Sequence, residues 1–254
     1  MNKFPICAVL TILLLSCSAN AEEMWKVGVG KADITPTEPV ILAGYGSRTK
    51  PSEGVDTKLW ARALAIGDVH PHLVIAVDNC GVPLELTEKV YERVNAKKKL
   101  ERAAFVICST HTHNAPSLPG YAPILWLERA GEAETAAAAR YAKQLEDKLV
   151  ALALEVLENQ TDATLSWEQG KVTFGGNRRV LEAGKWKNFG FQFDGPVDHS
   201  LPVMVAKDSS GTAIAVWTNY ACHCTTVGAK NTIGEIGPDS LTRRLRKTFR
   251  KQPH

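Results

Sequence analysis

Between residues 73 and 108 the chain sets two short apolar runs, Leu73 to Val77 and Ala103 to Cys108, on either side of a segment whose Val90 and Val94 stand four apart. Apolar residues four apart share a helix face, whereas a short unbroken apolar run suits a buried strand. Strand, helix and strand in so short a span make a βαβ unit, which needs parallel neighbours joined by a right-handed crossover. The expected fold class is therefore α/β, a mixed sheet with βαβ units and flanking helices. Thr87 reads as the cap of the first helix, which should run to about Lys99.

The rest of the chain fits that frame. Trp25 to Asp33 alternates apolar with small or polar residues before Pro36 and Pro39, and Trp60 to Ile66 is divided from Leu73 to Val77 by Gly67-Asp68. Both stretches read as strands closed by turns. Ala130 to Leu157 is rich in Ala, Leu, Glu and Lys and predicts a long helix, with Ala136 to Ala139 contributing helix propensity. Ala163 to Trp167 and Lys171 to Phe174 read as two short strands. Pro202 to Lys207 and Ala213 to Tyr220 form a hairpin about Ser209-Ser210-Gly211. Leu241, Leu245 and Phe249 then predict a short amphipathic helix whose outer face carries Arg243, Arg244, Arg246, Lys247, Arg250 and Lys251.

With 254 residues, 44% of them hydrophobic, the chain can bury a sizeable core, and disorder is excluded by composition. Lys3, the apolar run Phe4 to Leu15 and the pair Ala19 and Ala21 read as a signal peptide over residues 1–21. The run is too short for a spanning helix, which needs about 18 residues or more. Leu14-Leu15-Ser16-Cys17 offers a second processing route, lipidation at Cys17. The expected divisions are thus a leader at 1–21, one main domain at 22–236 and a basic helical tail at 237–254. Export makes nucleic acid an unsuitable partner for that tail. A solvated helix face or peripheral contact with a membrane remains. Cys80 and Cys108 lie in or beside apolar runs, where buried thiols are ordinary, and no CxxC pair suggests a zinc ribbon.

Chemistry concentrates at two places. Ser109-Thr110-His111-Thr112-His113-Asn114 follows the strand that ends at Cys108, and ligands gather at the carboxyl ends of strands in open α/β sheets. In an extended stretch His111 and His113 share a side, so both can face one metal, or one binds while the other donates a hydrogen bond. Tyr220-Ala221-Cys222-His223-Cys224 also follows a strand. Alone, His223 reads more readily as a turn histidine, and the two cysteines read as structural, since thiolates flanking a histidine in three consecutive residues do not easily close on one ion. Gly175-Gly176-Asn177-Arg178-Arg179 puts guanidinium groups at a bend, suited either to a substrate oxygen or to solvent. Asp78 ends a strand beside the first histidine strand.

Taken together, Val27-Gly28-Val29-Gly30-Lys31-Ala32-Asp33-Ile34-Thr35-Pro36, Arg62-Ala63-Leu64, Asp78, Ser109-Thr110-His111-Thr112-His113, Asn177-Arg178 and Cys222-His223 resemble the neutral/alkaline non-lysosomal ceramidases, from about Val27 to Asn231. The resemblance implies an exported zinc amidohydrolase that cuts the amide of ceramide or a related N-acyl lipid. It implies His111 and His223 as zinc ligands, His113 as a hydrogen-bonding neighbour in the site and Arg178 close to substrate. Residues 22–236 then correspond to the amino-terminal portion of that catalytic domain. In the family a glutamate and a tyrosine complete the metal shell and a serine stands at the reacting centre, all from sequence beyond the second histidine segment. Here Gly234-Glu235 leads into the basic helix instead, with Glu235 or Asp239 as substitute ligands by position alone. The expectation is an incomplete amidohydrolase, weakly active or inactive, arising from truncation, a frameshift or dependence on a partner. A non-catalytic exported lipid- or sugar-binding protein and an inert remnant remain alternatives.

Overall fold

The computed structural model describes residues 23–223, 225 and 227–235. The leader at 1–21 with Cys17, the residue Cys224, and the basic tail with Asp239 lie outside the described residues. Nine strands and two α-helices are built from the rest. They are β1 (Met24–Asp33), β2 (Trp60–Ile66), β3 (His72–Val77), α1 (Leu84–Asn95), β4 (Phe105–Ser109), α2 (Glu132–Glu158), β5 (Gln160–Lys171), β6 (Arg179–Glu182), β7 (Lys185–Phe189), β8 (Ser200–Asp208) and β9 (Ala213–Thr218). Seven strands form one mixed sheet in the order β4-β3-β2-β1-β5-β8-β9, and β6 and β7 form a separate two-stranded sheet.

The anticipated βαβ unit is β3-α1-β4, whose strands pair in parallel from Leu73↔Phe105 to Val77↔Ser109. Among the described residues it stands alone, because the other neighbours in the large sheet pair antiparallel. Helix α1 begins after Pro83, and no side chain caps it. Thr87 lies inside the first turn, where its hydroxyl donates back to the Pro83 carbonyl at 3.3 Å. The expected cap is therefore corrected: Pro83 sits extended just before the helix, and a ring that fixes φ suits that position. The helix also stops at Asn95, whose side-chain oxygen takes the Leu100 amide at 3.0 Å.

Helix α2 packs on the sheet through two glycines of β1. A Cβ at Gly28 would stand 1.7 Å from the Val156 carbonyl oxygen, and one at Gly30 would stand 2.7 Å from a Val156 methyl. The close approach of helix to strand thus needs both positions bare. Tyr141, Leu145, Leu149, Leu152 and Val156 are buried in the resulting core with Ile34, Ala63, Ile75, Val77, Val90 and Phe105. Ala137 and Ala138 are buried as well, so the alanine stretch packs as well as favouring helix. Small side chains there let α2 approach Ile41, Cys80 and Trp126.

Two further expectations are corrected. The strand predicted to end at Trp167 continues unbroken to Lys171, because its backbone pairs with β8 from Ala163↔Asp208 to Lys171↔Ser200. Cys108 is exposed, because β4 is the sheet's edge strand and alternate residues face away from α1. The hairpin β6–β7, turning at Ala183 and Gly184 with φ of 49° and 75°, was not anticipated. No helix among the described residues is long and apolar enough to cross a membrane.

Candidate functional site

The carboxyl ends of β3 and β4 lie side by side, and each runs into a buried polar loop. Asp78 closes β3 by accepting the Trp60 amide at 2.8 Å and the Arg62 guanidinium at 3.1 Å. Burial raises its carboxyl pKa, opposed first by the charge of Arg62 and then by hydrogen bonds from the Trp60 amide, Arg62 and Thr110. The neighbouring Asn79 donates to the Pro116 carbonyl at 3.0 Å. These contacts tie the end of β3 to both sides of the histidine loop.

His111 adopts φ 59°, a left-handed conformation that costs a residue with a Cβ roughly 1–2 kcal/mol. Its Nδ1 lies 2.6 Å from the Cys80 carbonyl oxygen, so Nδ1 carries the hydrogen and Nε2 keeps the lone pair. His113 sits beside it with the two Nε2 atoms 3.2 Å apart. Gly44, at φ 105°, makes room for that ring, since a Cβ there would fall 2.4 Å from His113 Cγ. The edge of Tyr45 closes the other side, with ring centroids 5.1 Å apart.

Arg48 holds this loop from beneath. Its buried guanidinium donates to the carbonyls of Ala43 and His113, to Asn114 Oδ1 at 2.7 Å and to the Lys230 carbonyl at 2.6 Å. Thr112 adds a bond to the Gly234 carbonyl at 2.9 Å. One planar cation and one hydroxyl therefore fasten three distant segments together, a task suited to a fixed fork of donors.

His223 arrives from the far side of the sheet, beyond β9. Its ring centroid lies 4.9 Å from that of His111 and 4.5 Å from that of His113, and the latter two are 4.8 Å apart. Arg178, from the bend before β6, places Nη2 2.7 Å from His223 Nδ1 and Nη1 3.3 Å from Thr225 Oγ1. All four residues singled out from the sequence, His111, His113, His223 and Arg178, thus converge. Desolvation, followed by the charges of His223, His111, Arg48 and Arg178, pushes the His113 pKa down to about 4. His223 is shifted the same way, first by desolvation between the other rings although the residue as a whole is exposed, then by His111 and Arg178.

Cys80, His111 and His113 bring potential ligand atoms within 4.8 Å of one another, a group consistent with a metal, and among the described residues no carboxylate joins them. The donor chemistry sorts these atoms. The Cys80 thiol lies 3.9 Å from His111 Nδ1, the nitrogen already engaged by a carbonyl, and burial raises the thiol's pKa away from thiolate. His111 Nε2 is the better donor, oriented as ligating histidines usually are by a carbonyl on the other nitrogen. His113 Nε2, 3.2 Å from His111 Nε2, is placed to hydrogen-bond beside it. His223 fits once Arg178 is exchanged from Nδ1, because a neutral imidazole has a single lone-pair nitrogen. Glu235, a substitute ligand by position alone, has its carboxylate 3.6 Å from the Arg62 guanidinium.

Sequence reasoning passed over Arg48, Tyr45, Gly44 and the Cys80 carbonyl. Gly44, standing before Tyr45 in a glycine-rich loop, was the one available signal.

Comparison with known proteins places these residues in a context. The family model described as neutral/alkaline non-lysosomal ceramidase, N-terminal, matches residues 25–239. A neutral ceramidase of Drosophila pseudoobscura pseudoobscura is 32% identical over 121 residues, covering 46% of this chain and 17% of that protein. A solved structure of a ceramidase complexed with C2 superposes with a TM-score of 0.64 at 18% identity, covering 83% of this chain and 33% of its own. The crystal structure of neutral ceramidase from Pseudomonas aeruginosa gives 0.64 at 19% identity, covering 83% and 34%. The chain thus spans about a third of the length of the solved structures it matches, and a smaller share of the fly protein.

Proposed function

The chain belongs to the neutral/alkaline non-lysosomal ceramidase family, and on that premise we propose that it carries the amino-terminal part of a zinc-dependent site for hydrolysing the amide of ceramide or a related N-acyl lipid. The observation that carries the reading is the convergence of His111, His113 and His223, delivered by strand ends from both halves of the sheet. His111 and His223 are the ligands in this reading. Zinc, when bound, supplies Lewis acidity toward an amide carbonyl and toward water.

The chain's own residues do the rest. His111 is held in register by the Cys80 carbonyl. His113, with its pKa down at about 4, stays neutral near pH 7 and can hydrogen-bond within the site through an imidazole nitrogen. Arg178 would have to give up His223 Nδ1 for that histidine to serve as a ligand, and its guanidinium would then be free for a substrate oxygen. Protein zinc sites usually have at least three protein ligands, so His111 and His223 need a further donor to hold the ion tightly. Export after removal of residues 1–21, with lipidation at Cys17 as the other route, belongs to the same proposal.

Zinc titration of the metal-stripped chain, repeated with His111→Ala and His223→Ala and paired with hydrolysis of an N-acyl sphingoid substrate, tests this. One zinc per wild-type chain, with affinity lowered at least about tenfold in each variant, is the expected result. A folded wild type that takes up none removes the zinc reading. The Arg178 bond to His223 Nδ1 favours a second reading, a non-catalytic exported lipid- or sugar-binding protein. It predicts ligand binding unchanged by a chelator, with no hydrolysis.

A further inference from the structure

The hairpin β6–β7 stands off the main sheet, and every residue of β7 is exposed. Leu181, Trp186, Phe189, Phe191 and Phe193 all face solvent, Phe193 with 96% of its surface. Trp186 meets Phe189 edge to face at 5.9 Å, and Phe191 stacks against Phe193 at 6.1 Å, so the apolar surface consists of two exposed ring pairs. Cations interleave with them. Arg178, Arg179, Lys185 and Lys187 lie between 178 and 194 against two acids, Asp194 and Glu182, the latter meeting Lys187 at 2.9 Å, and the Arg179 guanidinium rests 4.7 Å from the centre of the Phe189 ring.

That mixture discriminates between occupants. The buried centre of a protein–protein interface takes aromatics but is poor in lysine. At a bilayer surface the two belong together: aromatic rings settle at headgroup depth, while lysine stems lie along apolar surface and send their ammonium groups to phosphates. The hairpin is also continuous with the histidine cluster. Gly190 donates to the Arg178 carbonyl at 3.3 Å and Gln192 to the Asn177 carbonyl at 3.0 Å, and Arg178 touches His223.

We propose that the β6–β7 hairpin with Phe191 and Phe193 is a docking element for an anionic lipid surface, and that docking brings the histidine cluster up to that surface. It requires no metal and no turnover, so it stands or falls apart from the amidohydrolase reading.

The test is co-sedimentation of the full chain with vesicles of phosphatidylcholine alone and of phosphatidylcholine mixed with phosphatidylserine, with and without a chelator. Binding should favour the anionic vesicles and be indifferent to the chelator. Trp186→Ser with Phe193→Ser should lower the partition coefficient about tenfold or more, the scale of withdrawing one aromatic side chain from water. Lys185→Gln with Lys187→Gln should leave the weak binding to neutral vesicles and lose about tenfold or more on anionic ones, since each lysine near such a surface contributes about 1 kcal/mol. Circular dichroism confirms the fold of each variant; Phe193→Ser alone, at a position with almost no packing to lose, serves should the double variant misfold. Wild type left in the supernatant with both vesicle types overturns the proposal. So does binding that the aromatic substitutions do not reduce, or a dimer in sedimentation velocity that they abolish, which would make the face a contact between copies.

Discussion

One sheet has two unlike halves. Strands β1 to β4 are backed by α1 and α2, and the inward side chains Ala63, Ile75, Val77 and Phe105 are buried in a single core. The distal part of β5, with β8 and β9, has no helix behind it among the described residues, and Trp167 on β5 is 79% exposed. Its buried contacts shrink to a small cluster of Val27, Leu64, Ala163 and Ala206 on the opposite face. Backbone pairing is continuous across both halves, from β4 to β9. Hydrogen-bonded ladders therefore give the open half its shape, while side-chain burial gives the closed half its stability. The candidate site straddles the seam, with His111 and His113 from the closed half and His223 from the open one.

The sharpest way to break that contrast is Leu149→Ala, which opens a hole where α2 meets the sheet. It should cost about 3 kcal/mol in urea denaturation, against no more than about 0.5 kcal/mol for Trp167→Ala. Equal losses would mean that the open half carries as much of the fold as the closed half. Arg48→Ala comes next, with a loss of about 2 kcal/mol as the buried carbonyls at 43 and 113 and the part-buried one at 230 lose their donor. Amide exchange should quicken at 111–117 and leave α2 unchanged; uniform quickening would deny Arg48 a local role.

The smaller effect is one of pH. The His113 pKa falls from an ordinary 6.5 to about 4 in the fold, so the unfolded chain takes up a proton that the native chain refuses between those values. Stability of the metal-free chain is then full above about pH 6.5 and declines as pH drops toward 4, by on the order of 1 kcal/mol for a partly desolvated group. His113→Asn should flatten that decline in denaturation curves recorded across the window. An unchanged slope would place the titration elsewhere.

The same division explains what could be read from the sequence. The β3-α1-β4 unit and the long α2 were legible because burial imprints periodicity, as at Val90 and Val94. The β8–β9 hairpin was legible from its turn, where Asp208 Oδ1 takes the amides of Ser210 and Thr212. The hairpin β6–β7 left no such imprint, since strands exposed at every residue but Val180 have no inside to alternate with. In the site, the histidines showed themselves by following strands. Arg48 did not, because its partners lie 65 and 182 residues away and no local pattern marks a contact of that range.

The left-handed backbone at His111 bears on how such a chain would respond to selection. Glycine or asparagine would occupy φ 59° more comfortably, so the imidazole is held there against the preference of its own backbone. In a laboratory screen for heat resistance alone, position 111 is where the chain should part early with its histidine, and the variants that gain heat tolerance there should be those that carry glycine or asparagine in its place.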